Sequence, residues 1–394
     1  MDELDLFAVT APGLEPLCAQ ELAGLGIDAK AEDGGVAWRG DRRSMYRANL
    51  ELRTCSRVIA RLGTFRARTF PELERHAAKL PWPAFIRPGA EVELRVTARK
   101  SKLYHQGAIA ERIARVLAEK ASAHADVSRR DEDDDAVAQL VVVRFMRDVC
   151  TISIDSSGTL LHQRGYRQAL GKAPLRETIA AAMLLAAEFT GNDALLDPLC
   201  GSGTLAIEAA LIARRIAPGL ASPDHTPRAY AFEQWHGHRR GLWSDVVAEA
   251  HARIRDDAGI AIVAADRNAG AITAATANAE RAGVTRDVQL IQRPLAATTA
   301  PAPSGLLVTN PPYGVRVGEA KELAPLYSDL GRIARDVLPG WTVGFLAADP
   351  RLAGATALQL TERFATKNGG IPVRFLVRTP TRTPPRTPPR TRVA

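Results

Sequence analysis

The chain has few cysteines for its length, four in 394 residues, and they lie far apart. Cys18, Cys55, Cys150 and Cys200 form no Cys-x-x-Cys pair and no cysteine–histidine ligand cluster. The sequence therefore excludes a disulfide framework and a zinc site, and we assign no metal ligand. Isolated cysteines are typical of proteins of the reducing cytoplasm.

Long hydrophobic runs are also absent. The longest one, Ile179–Ala187, is too short to span a bilayer. The chain starts with the acidic segment Met1-Asp2-Glu3-Leu4-Asp5, whereas a signal peptide starts with basic residues. We therefore expect a cytoplasmic protein without membrane association. The sequence does not give the oligomeric state, for which a monomer is our expectation.

A glycine-rich turn is present, but three motifs built on such turns are missing. Leu195 to Thr204 predicts a strand, a turn and a helix start, and we call Asp197–Thr204 the glycine turn. It lacks the Gly-Lys-Ser/Thr of a Walker A loop, the spacing of a G-x-S-x-G elbow and a strict G-x-G-x-x-G. Asp197 would repel a pyrophosphate, which favours an amino group or cation as ligand. A plain tight turn is the alternative.

A second acid ends the predicted strand Ile260–Ala265. Asp266 there suits the two hydroxyls of a ribose, as in dinucleotide folds, or it is an ordinary helix cap. Its distance from Asp197 exceeds the usual spacing of about twenty residues. An insertion over residues 217–255 explains the gap. The insertion contains His236 and His238, and the sequence leaves open whether they contact RNA.

A stiff polar segment follows the apolar run Gly305–Val308, which is typical of a buried parallel strand. We call Asn310–Gly314 the asparagine corner. Its two prolines have a fixed φ and no N–H, so the Asn310 oxygen and the proline carbonyls can accept hydrogen bonds beside the ring of Tyr313. Two acceptors and a flat ring suit a planar amine. The alternative is a simple turn, although ligands of open α/β sheets bind at strand carboxyl ends.

Positive charge is concentrated in one part of the chain. The formal charge is +8, and residues 39–102 contain sixteen Lys or Arg against six Asp or Glu. Such an excess favours a polyanionic partner, and nucleic acid is the interpretation we prefer to a merely solubilising surface. Five more arginines lie in 378–394, a Pro/Arg/Thr repeat that we expect to be disordered.

Two kinds of pattern predict two kinds of fold. Residues 1–155 mix short strand-like and helix-like segments, which indicates α+β modules. From Thr178 onward, apolar strands alternate with alanine-rich helices, which predicts an α/β domain with a doubly wound, mostly parallel sheet.

The glycine turn and the asparagine corner together resemble class I S-adenosylmethionine-dependent methyltransferases that modify exocyclic amines. Further motifs are similar to the bacterial large-subunit rRNA guanine-N2 methyltransferases that carry a THUMP domain: Thr10–Glu15, Arg164–Arg167, Ala173–Thr178 and Ile216–Leu220. This resemblance covers about residues 5–377. It implies a ferredoxin-like subdomain at 1–55, a THUMP domain at 56–155, a linker or hairpin at 156–177 and a Rossmann-like methyltransferase domain at 178–377. Because residues 378–394 could not form a second methyltransferase domain, we expect the chain to resemble the single-catalytic-domain form.

The resemblance also implies which residues do what. Asn310 and the backbone of Pro311 and Pro312 would orient the target amine, and Tyr313 would stack on the base. The residues implied in binding S-adenosylmethionine are Asp197, Pro198, Cys200, Gly201, Gly203, Thr204, Asp266 and Asn310. Cys200 needs no covalent role and also fits a small buried filler. Relatives usually place an acid after the next strand to contact the adenine, but this chain has Gln292-Arg293-Pro294 there. Gln292 or a backbone carbonyl is the expected substitute.

The expected function is methylation of a guanine N2 amine in 23S rRNA. Three alternatives stay open at this stage. They are a guanine-N2 methyltransferase of tRNA, a methyltransferase acting on DNA adenine or protein glutamine, and a noncatalytic RNA-binding or ribosome-assembly factor.

Overall fold

The computed structural model describes residues 3–126, 139–168, 175–314 and 319–380. The first 155 residues form one mixed sheet with strand order β2-β3-β1-β4-β8-β7-β5-β6. Its strands are β1 Leu4–Thr10, β2 Lys30–Glu32, β3 Gly35–Gly40, β4 Cys55–Arg66, β5 Glu91–Arg99, β6 His124–Asp126, β7 Gln139–Met146 and β8 Val149–Asp155. The helices of this part are α1 Glu15–Gly24, α2 Arg42–Glu51, α3 Phe70–Ala77 and α4 Gln106–Ala121.

Strand β4 joins the two predicted N-terminal subdomains. It pairs antiparallel with β1 through its first half and with β8 through its second half. The predicted boundary between residues 55 and 56 therefore falls at the start of a strand that both subdomains share. Local signals act as the sequence indicates: Asp41 caps α2 by accepting from the Ser44 N–H, and Thr69 begins α3 in a capping box with Glu72.

The C-terminal part is the predicted α/β domain, with strand order β11-β10-β9-β12-β13-β15-β14. Its strands are β9 Ala194–Asp197, β10 Ile262–Asp266, β11 Gln289–Gln292, β12 Gly305–Thr309, β13 Thr342–Ala347, β14 Thr361–Asn368 and β15 Ile371–Arg378. The helices are α5 Glu177–Ala186, α6 Thr204–Ala213, α7 Arg240–His251, α8 Ala269–Arg281, α9 Glu319–Arg332 and α10 Pro350–Ala355, and α9 continues into a π-helical turn, Ile333–Val337.

The first five strands of this sheet in spatial order are parallel, and β9 lies between β10 and β12. The chain moves from β9 to one side of the sheet and later returns to its other side at β12. This reversal of strand order creates a crevice at the carboxyl ends of β9 and β12. The antiparallel hairpin β14–β15 extends the sheet beyond β13, and it was not predicted from the sequence.

The insertion at 217–255 packs against the N-terminal part of the chain. The ring of Tyr46 on α2 lies 4.5 Å from Phe232 and 5.7 Å from Trp243 between centroids. The Tyr46 hydroxyl contacts His238 Nδ1 at 3.2 Å. His238 therefore packs in an aromatic contact between the insertion and the N-terminal part of the chain. Whether His238 also contacts RNA stays open.

A buried ion cluster also crosses this contact. Arg164 and Glu208 are buried and paired at 3.3 Å, and Arg164 donates to the Arg53 carbonyl at 2.7 Å. Tyr166 donates to the same Glu208 carboxylate at 3.0 Å. The segment Arg164–Arg167 thus serves the packing of the two parts, and one continuous hydrophobic core extends through both of them.

The remaining domain predictions concern two connecting segments. The described residues between 156 and 177 form turns and contain no strand, and residues 169–174 lie outside the described part of the chain. Arg378, the first residue of the predicted tail, ends β15 and donates to the carbonyls of Ala334 and Trp341. Residues 381–394 lie outside the described part as well. Within the described residues, no helix is both long and apolar enough to cross a membrane.

Candidate active site

The glycine turn and the asparagine corner lie side by side at the carboxyl edge of the sheet. They follow β9 and β12, which pair in parallel with Leu306 opposite Leu195. The Thr309 hydroxyl donates to Asp197 Oδ1 at 2.7 Å and so joins the two segments directly. Two motifs that are 112 residues apart in sequence therefore form one site.

The glycine turn is shaped by backbone conformations that favour glycine. Gly201 and Gly203 have φ values of +51° and +84°. A Cβ on Gly203 would lie 2.9 Å from the Cβ of Ala275, so this glycine is needed for helix packing. A Cβ on Gly201 would meet no atom within 4 Å, so the surface above it is open. Gly201 therefore faces the space that a ligand can enter.

Asp266 lies beside this open surface. Its Oδ2 accepts from the Gly201 N–H at 3.0 Å, and its Oδ1 accepts from the Asn268 N–H at 2.9 Å. A carboxylate oxygen has capacity for more than one donor, so both oxygens can take a further hydrogen bond. The half-buried carboxylate thus fixes the turn and remains available to a ligand.

Asp197 is buried at the base of the site, with 1% of its surface exposed. Burial raises the pKa of its carboxyl to about 7, against the lowering effect of the hydrogen bonds from Thr309 and the Leu199 N–H. The buried carboxyl thus connects the two segments through its hydrogen bonds and does not face solvent.

The other predicted residues of the glycine turn are buried: Pro198, Cys200 and Thr204. Burial also raises the pKa of the Cys200 thiol well above its ordinary value. A thiol in this state is a poor nucleophile, because the thiolate is the reactive form. The position fits the reading of Cys200 as a small packing residue.

Hydrogen bonds between three side chains hold the asparagine corner in place. The Tyr313 hydroxyl donates to Asn310 Oδ1 at 2.6 Å and accepts from Asn368 Nδ2 at 3.0 Å. Tyr313 is 7% exposed, and burial raises the pKa of its phenol to about 12. From the sequence we expected the Tyr313 ring to be free to stack on a base, whereas most of the ring is buried against the protein.

The two proline carbonyls of the corner differ. Tyr327, which is buried on α9, donates to the Pro312 carbonyl at 3.1 Å. Among the residues that the structure describes, no donor contacts the carbonyl of Pro311. Asn310 Oδ1 and the Pro311 carbonyl are therefore the two acceptors of the corner that can receive a ligand's N–H groups.

The end of β11 occupies the place where relatives of this type usually have an acid. Gln292 lies opposite Asp266 in the parallel register, and its Nε2 donates to the Arg267 carbonyl at 3.4 Å. The Arg293 N–H donates to the Asp266 carbonyl at 3.0 Å. Gln292 thus lies beside Asp266 at this edge of the sheet, and its role as a substitute for the acid stays a prediction.

Sequence reasoning missed three residues of the site. Thr309, Tyr327 and Asn368 each contact a predicted site residue, and two of them come from elements far away in sequence. Only Thr309 could have been found, because it directly precedes Asn310 at the end of an apolar strand.

The basic region between residues 39 and 102 is less uniform than its composition indicates. Eight of its sixteen basic residues form ion pairs with described acids. Among the described exposed residues without an ion pair, Arg75, Lys79 and Arg87 lie elsewhere, whereas four lie where β4, β5, β7 and β8 meet, together with one from outside the region: Arg66, Arg99, Lys100, Lys102 and Arg147. We call these five residues the basic edge. Beside them lies Tyr104, which is 76% exposed.

Profiles of three known families match successive parts of the chain. The family described as "RMKL-like, methyltransferase domain" matches residues 164–375. Ahead of it, a profile described as "RlmL ferredoxin-like domain" matches residues 5–59, and the THUMP domain matches residues 67–155.

Curated relatives extend over nearly the whole chain. "Putative RNA methyltransferase slr0064" of Synechocystis sp. is 34% identical over 94% of this chain and 95% of its own length. "Ribosomal RNA large subunit methyltransferase K/L" of Saccharophagus degradans is 34% identical over 95% of this chain. In that case the chain spans only 51% of the relative.

Solved structures agree with the fold. SMU.472, a "putative methyltransferase" crystallised with SAH, superposes with a TM-score of 0.85 at 28% identity, over 98% of this chain and all of that one. A protein from Listeria monocytogenes described as a "predicted N6-adenine-specific DNA methylase" has a TM-score of 0.83 at 32% identity, over 95% of this chain and 96% of that one.

Proposed function

Because the chain belongs to the RMKL-like methyltransferase family, with a ferredoxin-like and a THUMP domain ahead of the catalytic domain, we propose that it methylates the N2 amine of a guanine in 23S rRNA. It is an S-adenosylmethionine-dependent RNA methyltransferase. The choice of guanine N2, of the large subunit and of a cytoplasmic setting is the proposal. The observation that carries it is the Thr309–Asp197 contact, which places the open glycine turn beside two acceptors for an amine. These are the Pro311 carbonyl, which has no donor among the described residues, and Asn310 Oδ1, which accepts from Tyr313 and has capacity for a second donor.

S-adenosylmethionine supplies a methyl group on an electrophilic sulfonium centre. The residues present fit this donor. Gly201 leaves open surface for it, and the Asp266 carboxylate can accept from both ribose hydroxyls. Gln292 would contact the adenine in place of the usual acid. Pro198, Cys200 and Thr204 support the turn from its buried side.

The acceptor amine would lie against the asparagine corner. Asn310 Oδ1 and the Pro311 carbonyl would each accept one N–H of the amine, which draws electron density toward nitrogen and aims its lone pair. A bound donor would supply the methyl group: its carbon–sulfur bond would break, with the electron pair staying on sulfur, as the amine nitrogen forms the new bond to the methyl carbon. The proton that the amine then loses would pass to solvent water. Tyr313 would contact the base along the part of its ring that is exposed.

The target guanine must leave its stack to enter this crevice, as other base-modifying enzymes require. The RNA around it needs a docking surface outside the catalytic domain. We propose the basic edge for this role, because its five cations are exposed and Tyr104 offers a ring on which an unpaired base can stack.

A strain that lacks the gene tests the function. Mass mapping of its large-subunit rRNA should show one guanine without the N2 methyl group that the parent strain carries. Reintroduction of the wild-type gene should restore it, and reintroduction of an Asn310→Ala variant should not. If every N2-methylated guanine of the large subunit kept its methyl group, the proposal would be refuted.

The same strain separates the rivals. Loss of an N2 methyl group from tRNA alone would identify a tRNA enzyme. DNA adenine is the acceptor that the description of the Listeria monocytogenes protein suggests, and loss of methyladenine from genomic DNA would favour it. Isothermal titration with S-adenosylmethionine tests the noncatalytic alternative, because a decayed donor site would give no binding heat.

A further inference from the structure

Three polar side chains at the asparagine corner form a continuous chain of hydrogen bonds. Asn368 Nδ2 donates to the Tyr313 hydroxyl at 3.0 Å, and that hydroxyl donates to Asn310 Oδ1 at 2.6 Å. Asn368 is 2% exposed, and its own Oδ1 has no hydrogen-bond partner among the described residues. A buried asparagine with half of its amide unpaired is costly, which calls for a role that outweighs the cost.

The direction of these hydrogen bonds determines whether the Asn310 amide turns its oxygen or its NH₂ group to Tyr313. A phenol has one proton to donate. Because Asn368 donates to the hydroxyl oxygen, the phenol proton must point to Asn310, and Asn310 must present its oxygen there. The opposite order would put an N–H of Asn310 against the hydroxyl and turn its oxygen away.

The hairpin β14–β15 brings Asn368 to this place. Strand β13 ends at Ala347, opposite Arg374 on β15. Ile371–Val373 and the β14 residues paired with them therefore extend past the edge of the parallel strands. Asn368 is the last residue of β14, directly before the Gly369–Gly370 turn, so it reaches the segment that follows β12.

We propose that Asn368 is a positioning residue for methyl transfer. It directs the Tyr313 proton to Asn310 and so keeps the Asn310 oxygen turned to the acceptor amine. This inference rests on the proposed function of the asparagine corner and adds a residue outside it. Asn368 does not contact the substrate and acts through Tyr313.

Two substitutions change the donor in different ways. Asn368→Ala removes it. Asn368→Asp keeps the shape but, when ionised, accepts the Tyr313 proton and so inverts the order. We expect each to lower kcat about 10- to 100-fold, while the dissociation constant of S-adenosylmethionine stays within twofold of wild type. Thr366→Val is the matched control, because Thr366 is buried on the same face of β14 and its hydroxyl has no partner among the described residues.

The Asp variant has a signature that a purely structural role would not produce. A protonated carboxyl can donate to Tyr313 again, so kcat of Asn368→Asp should recover as the pH falls through the pKa of the new carboxyl. Tyr313 contacts Asn368, Tyr327 lies beside it, and burial raises the pKa of both phenols away from this range. The charged groups on β14 and on the elements packed against it include Lys367, Arg374 on β15 and Glu177 on α5, and they are the same in the wild type and in every variant. The wild type and Thr366→Val should lack this step.

The experiment measures transfer to unmodified rRNA for the wild type and the three variants across pH, with asparagine-selective ¹⁵N spectra as a second readout. We expect the Asn310 side-chain resonances, assigned from Asn310→Ala, to shift in Asn368→Asp at high pH. A wild type without transfer to RNA would count against the proposed function. An active wild type with unchanged kcat in both Asn368 variants, or with equal losses in Thr366→Val, would overturn the positioning role alone.

Discussion

The two segments that form the site are built in different ways. The glycine turn is held mostly through its backbone groups: the Gly203 N–H donates to the Cys200 carbonyl within the turn, and the Cys200 and Gly201 N–H groups donate to the Ala265 carbonyl and the Asp266 carboxylate of β10. Two side chains from elsewhere, Asn278 and Thr309, add hydrogen bonds to the Ser202 carbonyl and to Asp197. The asparagine corner is held by side chains from elsewhere, Asn368 on the hairpin and Tyr327 on α9. The first segment depends mainly on backbone conformations that its glycines make possible. The second depends on the tertiary structure around it.

This contrast implies that substitutions can impair the function of one segment without impairing that of the other. Changes in the glycine turn should affect donor binding or folding, whereas changes in the corner should affect transfer and spare the donor. The following predictions are ordered by the size of the expected effect.

Asn310→Ala should produce the largest loss. It removes one of two acceptors for the amine, and loss of one preorganised hydrogen-bonding group at a reaction centre costs about 100- to 1000-fold in kcat. Calorimetry should show donor affinity close to wild type. Asn192→Ala is the control, because Asn192 is exposed and, in the part of the chain that the structure describes, its side chain hydrogen-bonds only to Thr190. Near-normal transfer by Asn310→Ala would remove the corner from the mechanism.

The two glycines should fail in different ways. Gly203→Ala places a Cβ 2.9 Å from that of Ala275 and strains a residue with φ of +84°, so we expect it to lower the free energy of unfolding by about 1–3 kcal/mol. Gly201→Ala meets no protein atom but occupies the open surface, so it should weaken donor binding about tenfold or more with a smaller change in stability. Thermal unfolding and calorimetry measure both effects.

Identical behaviour of the two glycine variants would contradict this assignment. If Gly201→Ala bound the donor as tightly as wild type, the open surface above Gly201 would not be the donor's location.

The same contrast explains what the sequence could predict. Strands β9, β10 and β12 and the glycine turn rest on local patterns, and the sequence predicted each of them. Asn368, Tyr327 and the hairpin β14–β15 depend on contacts between distant segments, and β14 has no hydrophobic pattern typical of a strand in the sheet interior. The sequence also predicted the excess of basic residues between 39 and 102 but not which of them are available to RNA, because composition does not reveal which arginines form ion pairs.

Asp197 should make stability depend on pH. Burial raises its folded pKa to about 7, above the unfolded value of about 3.9, so the folded state holds the proton more tightly. This contribution is fully present below pH 4 and is lost as the pH rises toward 7. Asp197→Asn should flatten that part of the profile in urea unfolding at pH 5 and pH 8. An unchanged slope would assign the pH dependence to other groups.

Cys200→Ala should produce the smallest effect. The thiol is buried with a raised pKa, so it has no covalent role to lose, and kcat should stay within about twofold of wild type. Stability should fall by about 1 kcal/mol, because a small buried group is removed. A loss of transfer as large as that of Asn310→Ala, with donor binding intact, would mean that the thiol takes part in the chemistry.

The central claim is that one sheet edge brings a methyl donor to the N2 amine of a guanine in large-subunit rRNA. Its most direct test is transfer of label from methyl-labelled S-adenosylmethionine to unmodified 23S rRNA, followed by nucleoside analysis. We predict that the wild type places all label in N2-methylguanosine, and that Asn310→Ala transfers label about 100- to 1000-fold more slowly. Label in any other nucleoside, or none with the wild type, would contradict the claim.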